Sequence, residues 1–290
     1  MPDVFPFPVV DSHVHFWDQE RLDYPWLRTV PAIAGPHLPE NYWKEADEVP
    51  VAQIVFVEAG CAPTLALQES DWVLALAAED PRIAAIVAQV SIDAAEETGR
   101  QLKILAARPL VRGVRHIIQG ATDPDFCLRP AFVDGVRRLT DLDFSFDLCI
   151  HHSQLDSVIG LVDQCPGVRF ILDHVGKPGI RDHVREPWKN HLQELAARPH
   201  VWCKVSGLMT EADARNWKVN DFRPYLAEAM ATFGADRLIF GSDWPVCHLA
   251  GSLKDWIAIL RSAFNEATPH ALAKIFGENA RTCYRFRPGA

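Results

Sequence analysis

Eight short apolar runs rich in β-branched residues recur along the chain, and they constrain its fold more than any other feature. These strand candidates cover residues 9–16, 53–60, 83–92, 111–118, 144–151, 168–175, 201–207 and 237–244. Stretches with helical periodicity lie between many of them, at residues 65–79, 96–107, 130–142, 155–165, 188–198 and 223–233. Repeated alternation of strand and helix predicts a parallel sheet that is covered by helices.

Capping residues signal two helix starts near the end of the chain. Ser252 and Asp255 form a capping box before one predicted helix, and Thr268 with Pro269 opens the last one, which ends at Asn279. The complete pattern predicts an α/β protein with a (β/α)8 TIM barrel. A doubly wound sheet of eight strands would show the same alternation, so closure of the barrel is an inference.

The length of the chain favours a single domain. At 290 residues with 48% hydrophobic residues, the chain can bury one large core, and TIM barrels of this length are common. We therefore predict one domain over residues 1–290. Residues 17–50 contain five prolines and are too long for a plain connection. They are predicted to form a loop on the barrel rim, positioned to cover the site.

Charge and composition exclude several classes of partner. The net charge of −9 does not suit binding to phosphate backbones, so nucleic acid is not an expected partner. No apolar run approaches the roughly 18 residues of a membrane helix, and residues 1–11 lack a secretory pattern, so we expect a cytoplasmic protein without membrane contact. The seven cysteines form no C-x-x-C pair, which argues against a disulfide framework. A homo-oligomer is compatible with the sequence.

Polar residues cluster where the predicted strands end, which is where parallel barrels carry their chemistry. The polar strand ends are Asp11-Ser12-His13-Val14-His15, His151-His152, Asp173-His174 and Ser242-Asp243. Because side chains alternate along a strand, His13 and His15 point to the same side and can hold one cation. For the same reason only one of His151 and His152 can enter the barrel, and we favour His151.

Each of these residues also has a purely structural interpretation. Two histidines two residues apart occur by chance, and a lone histidine is more often a satisfied core or surface residue than a ligand. However, the independent burial of several polar groups at barrel positions would be costly. A shared catalytic or metal site is therefore predicted from His13, His15, His151, His174 and Asp243.

Five motifs, in order along the chain, carry a resemblance to a known family. They are Asp11-Ser12-His13-Val14-His15-Phe16-Trp17, Gly113-Val114-Arg115-His116, Leu172-Asp173-His174-Val175-Gly176-Lys177-Pro178, Lys204-Val205-Ser206-Gly207-Leu208 and Gly241-Ser242-Asp243-Trp244-Pro245-Val246. With these motifs the chain resembles the L-fuconolactonase and L-rhamnonolactonase group of the amidohydrolase superfamily over nearly its whole length. The resemblance implies a barrel of the metal-dependent-hydrolase type, hydrolysis of sugar-acid lactones, and one metal ion or none.

The resemblance also assigns roles at the strand ends. It implies that the metal ligands are His13, His15 and His151. It also implies that Asp243 is a further ligand or the catalytic base, and that His174 lies beside the nucleophile. Members with two metals have a bridging Lys or Glu on strand four, whereas this chain has Arg115 and His116 there. One divalent ion is therefore expected, and imidazole and carboxylate ligands favour zinc.

The predicted mechanism is attack of an activated, metal-bound water on the carbonyl of a small sugar-acid lactone. Asp243 takes the proton of the water and returns it to the ring oxygen, while His174 orients the water. Arg115 and Lys204 hold the carbonyl oxygen or the substrate hydroxyls, with an ion pair to a rim carboxylate as the structural alternative.

Three further residues are candidate substrate contacts. Glu58, at the end of the second strand, is either a ligand or substrate contact, or a carboxylate paired with Arg or Lys. Trp17 and Trp244 adjoin the site motifs and offer flat faces to a sugar ring. Core packing is the commoner use of a tryptophan side chain.

Three alternatives stay open from the sequence. A metal-independent lactonase would use Asp243 to activate free water, with Arg115, Lys204 and His174 polarising the carbonyl. A nonoxidative decarboxylase of the same superfamily would share the histidines and Asp243. A non-catalytic barrel would only bind a metal or a partner protein.

Overall fold

The computed structural model describes residues 5–286, which contain eight strands and the helices around them. The strands are β1 Val9–Val14, β2 Val51–Val57, β3 Ile83–Gln89, β4 Val111–Arg115, β5 Ser145–Leu148, β6 Arg169–Leu172, β7 Val201–Val205 and β8 Leu238–Phe240. The α-helices are α1 Pro39–Glu45, α2 Ala66–Glu79, α3 Glu96–Ala106, α4 Pro130–Arg137, α5 Leu139–Leu142, α6 Leu155–Gln164, α7 Trp188–Ala196, α8 Val219–Arg237, α9 Leu253–Ala263, α10 Pro269–Ala273 and α11 Asn279–Cys283.

Each strand pairs in parallel with the next one along the chain, from β1 to β8. Contacts between the first strand and the residues after the last strand close the barrel. Val14 bridges Trp244 in parallel, and the Asp243 N–H donates to the His13 carbonyl oxygen at 2.9 Å. The predicted α/β barrel is therefore confirmed, and the doubly wound alternative is wrong.

Apolar side chains pack on both sides of the strands. A large cluster lies between the barrel and its helices, and a smaller one fills the barrel interior. The smaller cluster consists of Val10, Val55, Val57, Ala85, Val87, Ile171, Ile239, Ala280, Cys283 and Tyr284. The last three come from the C-terminal end of the described chain, and the Tyr284 hydroxyl donates to Asp147 Oδ2 at 2.7 Å. Residues 280–284 therefore complete the interior of the barrel.

Residues 17–50 are more regular than the predicted rim loop. They contain α1 and three short 3-10 turns, and Trp17 and His37 exchange two backbone hydrogen bonds. Pro25, Pro31 and Pro39 stand at the start of three of these elements. Proline is tolerated in the first turn of a helix because its missing N–H would have no partner there. The prolines of this segment therefore mark helical starts as well as breaks.

Both predicted helix starts near the C-terminus are confirmed. Ser252 Oγ accepts from the Asp255 N–H at 3.2 Å, and Thr268 Oγ1 accepts from the Ala271 N–H at 3.2 Å. Helix α8 extends beyond the predicted 223–233 at both ends. Within residues 5–286, no helix is both long enough and apolar enough to cross a membrane.

Candidate active site

Three polar side chains from separate strands converge at the carboxyl ends of the barrel. His13 lies on β1, His174 follows β6, and Asp243 follows β8. One potential ligand atom from each lies within 4.8 Å of the other two, and all three residues are buried. The structure therefore brings together residues that are 69 to 230 positions apart in the sequence, and we call them the His13–His174–Asp243 cluster.

His15 adds another imidazole beside Asp243. Its Nδ1 lies 2.8 Å from the Val57 carbonyl oxygen, which can only accept, so Nδ1 carries the hydrogen. Its Nε2 faces Asp243 Oδ1 at 3.4 Å. A neutral imidazole in this orientation turns a lone pair toward a carboxylate oxygen. A cation bound between the two atoms would stabilise this contact.

The donor set fits a single divalent cation. Imidazole nitrogens and a carboxylate oxygen are ligands that zinc commonly takes. The His13–His174–Asp243 cluster supplies three converging ligand atoms. The nearby carboxylate of Asp173 is committed to two cations, with Arg115 Nη1 at 3.1 Å and Lys204 Nζ at 3.0 Å. The arrangement therefore suits one ion rather than two.

Burial and neighbouring groups set the protonation states of the cluster. Burial lowers the pKa of the His174 imidazole to about 4, so this ring is neutral at pH 7. Burial alone would raise the pKa of the Asp243 carboxyl, but the imidazoles of His174, His15 and His13 outweigh it and lower this pKa below its ordinary value. The site therefore presents an ionised carboxylate beside a neutral imidazole.

The backbone is strained at two members of the cluster. His174 and Asp243 have φ angles of 56° and 62°, in the left-handed region. Such residues cost roughly 1–3 kcal/mol each and concentrate at functional sites. His174 Nδ1 lies 2.9 Å from Ser206 Oγ, and a Cβ added at Gly207 would lie 2.3 Å from the same Nδ1. The absence of a side chain at Gly207 therefore makes room for this imidazole.

A buried network of ion pairs adjoins the cluster. Arg115 Nε donates to Glu58 Oε1 at 2.6 Å, and Arg115 Nη1 donates to Asp173 Oδ2 at 3.1 Å. Lys204 Nζ donates to Asp147 Oδ2 at 2.6 Å and also pairs with Asp173. All five side chains are buried. Opposite charges are therefore paired, as buried charges must be if the fold is to tolerate them.

This network corrects two of the predicted substrate contacts. Lys204 is fully buried, and its ammonium lies 3.1 Å from His13 Nδ1, so it supports the cluster from within the barrel. Glu58 is also fully buried and orients Arg115. Both residues take the ion-pair role that was the structural alternative. Of the network, Arg115 is the member that reaches the pocket wall.

A pocket of about 340 Å³ opens onto the cluster. Its walls are formed by His15, Trp26, Ala59, Gly60, Arg115, Ile117, Gln119, Cys149, His174, Lys177, Asp243 and Val246. Small-molecule sites typically begin near 300 Å³ and combine apolar walls with a few fixed polar groups. The pocket therefore has the size and lining for a small cyclic molecule placed against Asp243.

Neither predicted tryptophan forms the wall of this pocket. Trp17 and Trp244 are 0% and 1% exposed, and their Nε1 atoms donate to Gly35 O at 2.9 Å and Glu45 Oε2 at 2.8 Å. Both side chains pack against residues of the 17–50 segment, so the alternative that the tryptophans serve core packing is correct. Trp26 lines the pocket instead, and it donates Nε1 to the Ala59 carbonyl at 2.8 Å.

The structure does not bring His151 into the cluster. Strand β5 ends at Leu148, so His151 lies in the following connection, where it is exposed. His151 and His152 line a separate polar cleft of about 360 Å³. The prediction that His151 enters the barrel is therefore corrected, because the apolar run continues past the last paired residue of the strand.

Sequence reasoning assigned no role to four residues near the cluster, which are Asp147, Cys149, Asp173 and Lys177. Asp147 lies on β5 and Cys149 directly follows the strand, two positions later, so strand alternation could have placed both on the inner side of the barrel. Cys149 also lies with Asp173 and His174 in a second group of close ligand atoms. Lys177 stands in the quoted motif after β6, but its position depends on backbone geometry that the motif does not reveal.

Two buried carboxylates hold the part of the pocket wall formed by Ala59 and Gly60. The Gly60 N–H donates to Glu58 Oε2 at 2.7 Å, and the Ala59 N–H donates to Glu69 Oε1 at 3.2 Å. Burial, with the nearby charge of Glu58, raises the pKa of the Glu69 carboxyl to about 8. Glu69 therefore carries a proton over much of the neutral range.

Glu69 should make the folded state less stable as the pH rises from about 5 to about 8. The folded protein binds this proton more tightly than the unfolded chain, in which the Glu69 carboxyl has its ordinary pKa of 4.5. The stability that this proton contributes is therefore complete below pH 4.5 and is lost as the pH rises through about 8. Glu69→Gln should flatten this dependence in thermal melts, whereas Glu79→Gln, exposed on the same helix, should preserve it. If the melting temperatures of wild type and Glu69→Gln changed equally with pH, this assignment would be contradicted.

The chain is similar to known proteins over nearly its whole length. The sequence pattern of the family described as Amidohydrolase matches residues 10–286. L-fucono-1,5-lactonase of Burkholderia multivorans is 33% identical over 288 residues, covering 95% of each chain. L-fucono-1,5-lactonase of Burkholderia ambifaria is 31% identical over 281 residues, again covering 95% of each. A crystal structure of a Burkholderia multivorans amidohydrolase with bound zinc is similar with a TM-score of 0.87 and 31% identity, covering 97% of this chain and 100% of that one.

Proposed function

The chain belongs to the amidohydrolase family, and from that premise we propose that it is a lactonase, a hydrolase that opens the cyclic ester of a sugar acid. The observation that carries this proposal is an ionised Asp243 carboxylate, surrounded by imidazoles, at the wall of a pocket of about 340 Å³. The lactonase relatives, similar over 95% of the chain, support the substrate class. The products would be the open hydroxy acids that sugar-acid catabolism consumes.

Asp243 accounts for both proton transfers of the reaction. Its carboxylate accepts a proton from the attacking water while the water oxygen adds to the lactone carbonyl carbon. The electron pair displaced onto the carbonyl oxygen then returns, and the bond to the ring oxygen breaks. Asp243 donates the proton to that ring oxygen, so the balance is one lactone and one water giving one hydroxy acid.

His174 and Arg115 position the reactants. His174 Nδ1 is hydrogen-bonded to Ser206 Oγ, so Nε2 is the free ring nitrogen. Nε2 can therefore orient the attacking water, either directly or as a metal ligand. Arg115 is fixed by Glu58 and Asp173, and it lines the pocket. A guanidinium held in this way contributes a fixed positive charge at the pocket wall that needs no reorientation during the reaction.

We propose one zinc ion as the cofactor, with His13, His174 and Asp243 as its ligands and His15 beside them. Bound there, zinc would supply Lewis-acid activation of water at neutral pH. The zinc in the related Burkholderia amidohydrolase supports this choice of metal. The alternative is a lactonase in which Asp243 and His174 activate water without metal, and the metal content of the active protein distinguishes the two.

A panel of aldonolactones tests the proposed activity. Acid release from L-fucono-1,5-lactone, L-rhamnono-γ-lactone and galactonolactones should show kcat/KM of at least about 10⁴ M⁻¹s⁻¹ for one or more substrates. Zinc measured in the same sample should approach one ion per chain. Rates equal to uncatalysed hydrolysis across the panel would refute the proposal. Release of carbon dioxide from hydroxybenzoic acids, without lactone opening, would favour the decarboxylase.

A further inference from the structure

Lys177 brings a second cation to the wall of the catalytic pocket. Its side chain is 15% exposed and lies on the pocket wall with His174 and Asp243. Its ammonium pairs with Glu211 Oε1 at 3.8 Å, which is longer than a hydrogen bond. Burial alone would lower the pKa of this ammonium, but Cys149, Glu211 and Asp243 outweigh it and raise the pKa. Lys177 is therefore charged at neutral pH.

A left-handed turn places Lys177 on the same side as His174. Residues His174, Val175, Gly176 and Lys177 have φ angles of 56°, 53°, 70° and 47°, and the Lys177 N–H donates to His174 O at 2.9 Å. The side chains of His174 and Lys177 both line the pocket. Three of the four residues are not glycine, and this backbone conformation is unfavourable for each of them. The turn is held by Trp188, whose Nε1 donates to Val175 O at 2.8 Å.

The other two cations near the cluster are committed to carboxylates or backbone. Arg115 donates to Glu58 through Nε and to the Glu58 carbonyl through Nη2 at 2.7 Å, and Lys204 is fully buried between Asp147 and Asp173. By contrast, no hydrogen bond among the described residues involves the Lys177 ammonium. The Lys177 ammonium is therefore available to donate hydrogen bonds to a ligand in the pocket.

We propose that Lys177 is a catalytic residue that binds the lactone carbonyl oxygen and stabilises the negative charge that forms on it. This inference rests on the proposed function. When water adds to the carbonyl carbon, its proton passes to Asp243 and the carbonyl electron pair moves to the oxygen beside Lys177. The charge disappears when the ring C–O bond breaks. A fixed cation in a buried pocket stabilises this transient charge more strongly than it does the neutral carbonyl.

Substitution of Lys177 tests this role by separating kcat from KM. Lys177→Met should lower kcat by roughly 10²- to 10³-fold, the loss typical for one oxyanion donor, with a much smaller change in KM. Lys177→Arg should recover part of kcat because it keeps the charge. Lys189→Met is the matched control, since Lys189 is on α7 and pairs with Glu228 away from the pocket. A kcat for Lys177→Met within about threefold of wild type would overturn the proposal.

Binding of the product acid tests the same contact without turnover. The aldonate places its carboxylate where the carbonyl stood, so calorimetric titration should show at least about tenfold weaker binding to Lys177→Met than to wild type or Lys189→Met. Lys177→Gln gives a second neutral variant if the first does not fold. Equal aldonate binding by wild type and the folded neutral variant would overturn the role of Lys177. Absence of lactone turnover by wild type would refute the proposed function, and the titration would still decide whether Lys177 binds the carboxylate.

Discussion

Asp243→Asn should reduce kcat for lactone hydrolysis by about 10²- to 10⁴-fold, the range expected when general acid-base catalysis is removed. The amide keeps the size of the carboxylate but cannot accept the proton of the attacking water. It also cannot return a proton to the ring oxygen. The initial rate of acid release, followed with a pH indicator, measures the loss directly.

An exposed aspartate provides the control for this substitution. Asp236→Asn removes a carboxylate that is 78% exposed and paired with Lys274 far from the cluster, so it should leave kcat unchanged. Zinc content measured in both variants separates loss of the base from loss of a metal ligand. If Asp243→Asn retained more than about a tenth of wild-type kcat, Asp243 would not be the base of the reaction.

Lys204→Met should destabilise the folded protein by about 3–5 kcal/mol, because it leaves buried carboxylates without their cation. Asp147 would lose the ammonium at 2.6 Å, and Asp173 would lose one of its two cations. Denaturant unfolding measures the change. Adding Asp147→Asn to Lys204→Met should restore part of the lost stability, since it removes one of the unpaired charges.

A surface ion pair provides the control for the destabilisation expected of Lys204→Met. Lys254 pairs with Glu48 at 2.9 Å, but the two side chains are 50% and 74% exposed. Lys254→Met should therefore cost less than about 1 kcal/mol. If Lys204→Met cost no more than Lys254→Met, the buried network would not be the support of the cluster that its distances indicate.

The barrel and the core of the site could be predicted from sequence because both follow from periodicity. Alternation along β1 places His13 and His15 on one side, and parallel strands bring their ends to one rim, where His174 and Asp243 also lie. These regularities do not depend on the details of side-chain packing.

The partners of the charged residues could not be predicted in the same way. Glu58 meets Arg115 across 57 positions of sequence, and Lys204 meets Asp147 across another 57. Sequence shows that each is charged, but not which opposite charge lies within reach. The substrate contacts predicted for Glu58 and Lys204 were therefore wrong, while Arg115 reaches the pocket because Glu58 holds it there.

Local backbone geometry accounts for the other errors. His151 follows an apolar run whose paired part ends at Leu148, so counting by alternation from the run placed it wrongly. Lys177 reaches the pocket through a left-handed turn that contains histidine and valine, residues that rarely adopt this conformation. Such strain is set by the surrounding fold, and no local propensity indicates it.

Hydrolysis in ¹⁸O-labelled water tests the central claim that a water activated at Asp243 attacks the carbonyl carbon of a sugar-acid lactone. Under conditions where the uncatalysed reaction is slow, wild-type protein should release an acid with one ¹⁸O atom in its carboxylate and none in the hydroxyl that was the ring oxygen. Label in that hydroxyl, or no release of acid beyond the uncatalysed rate, would contradict it.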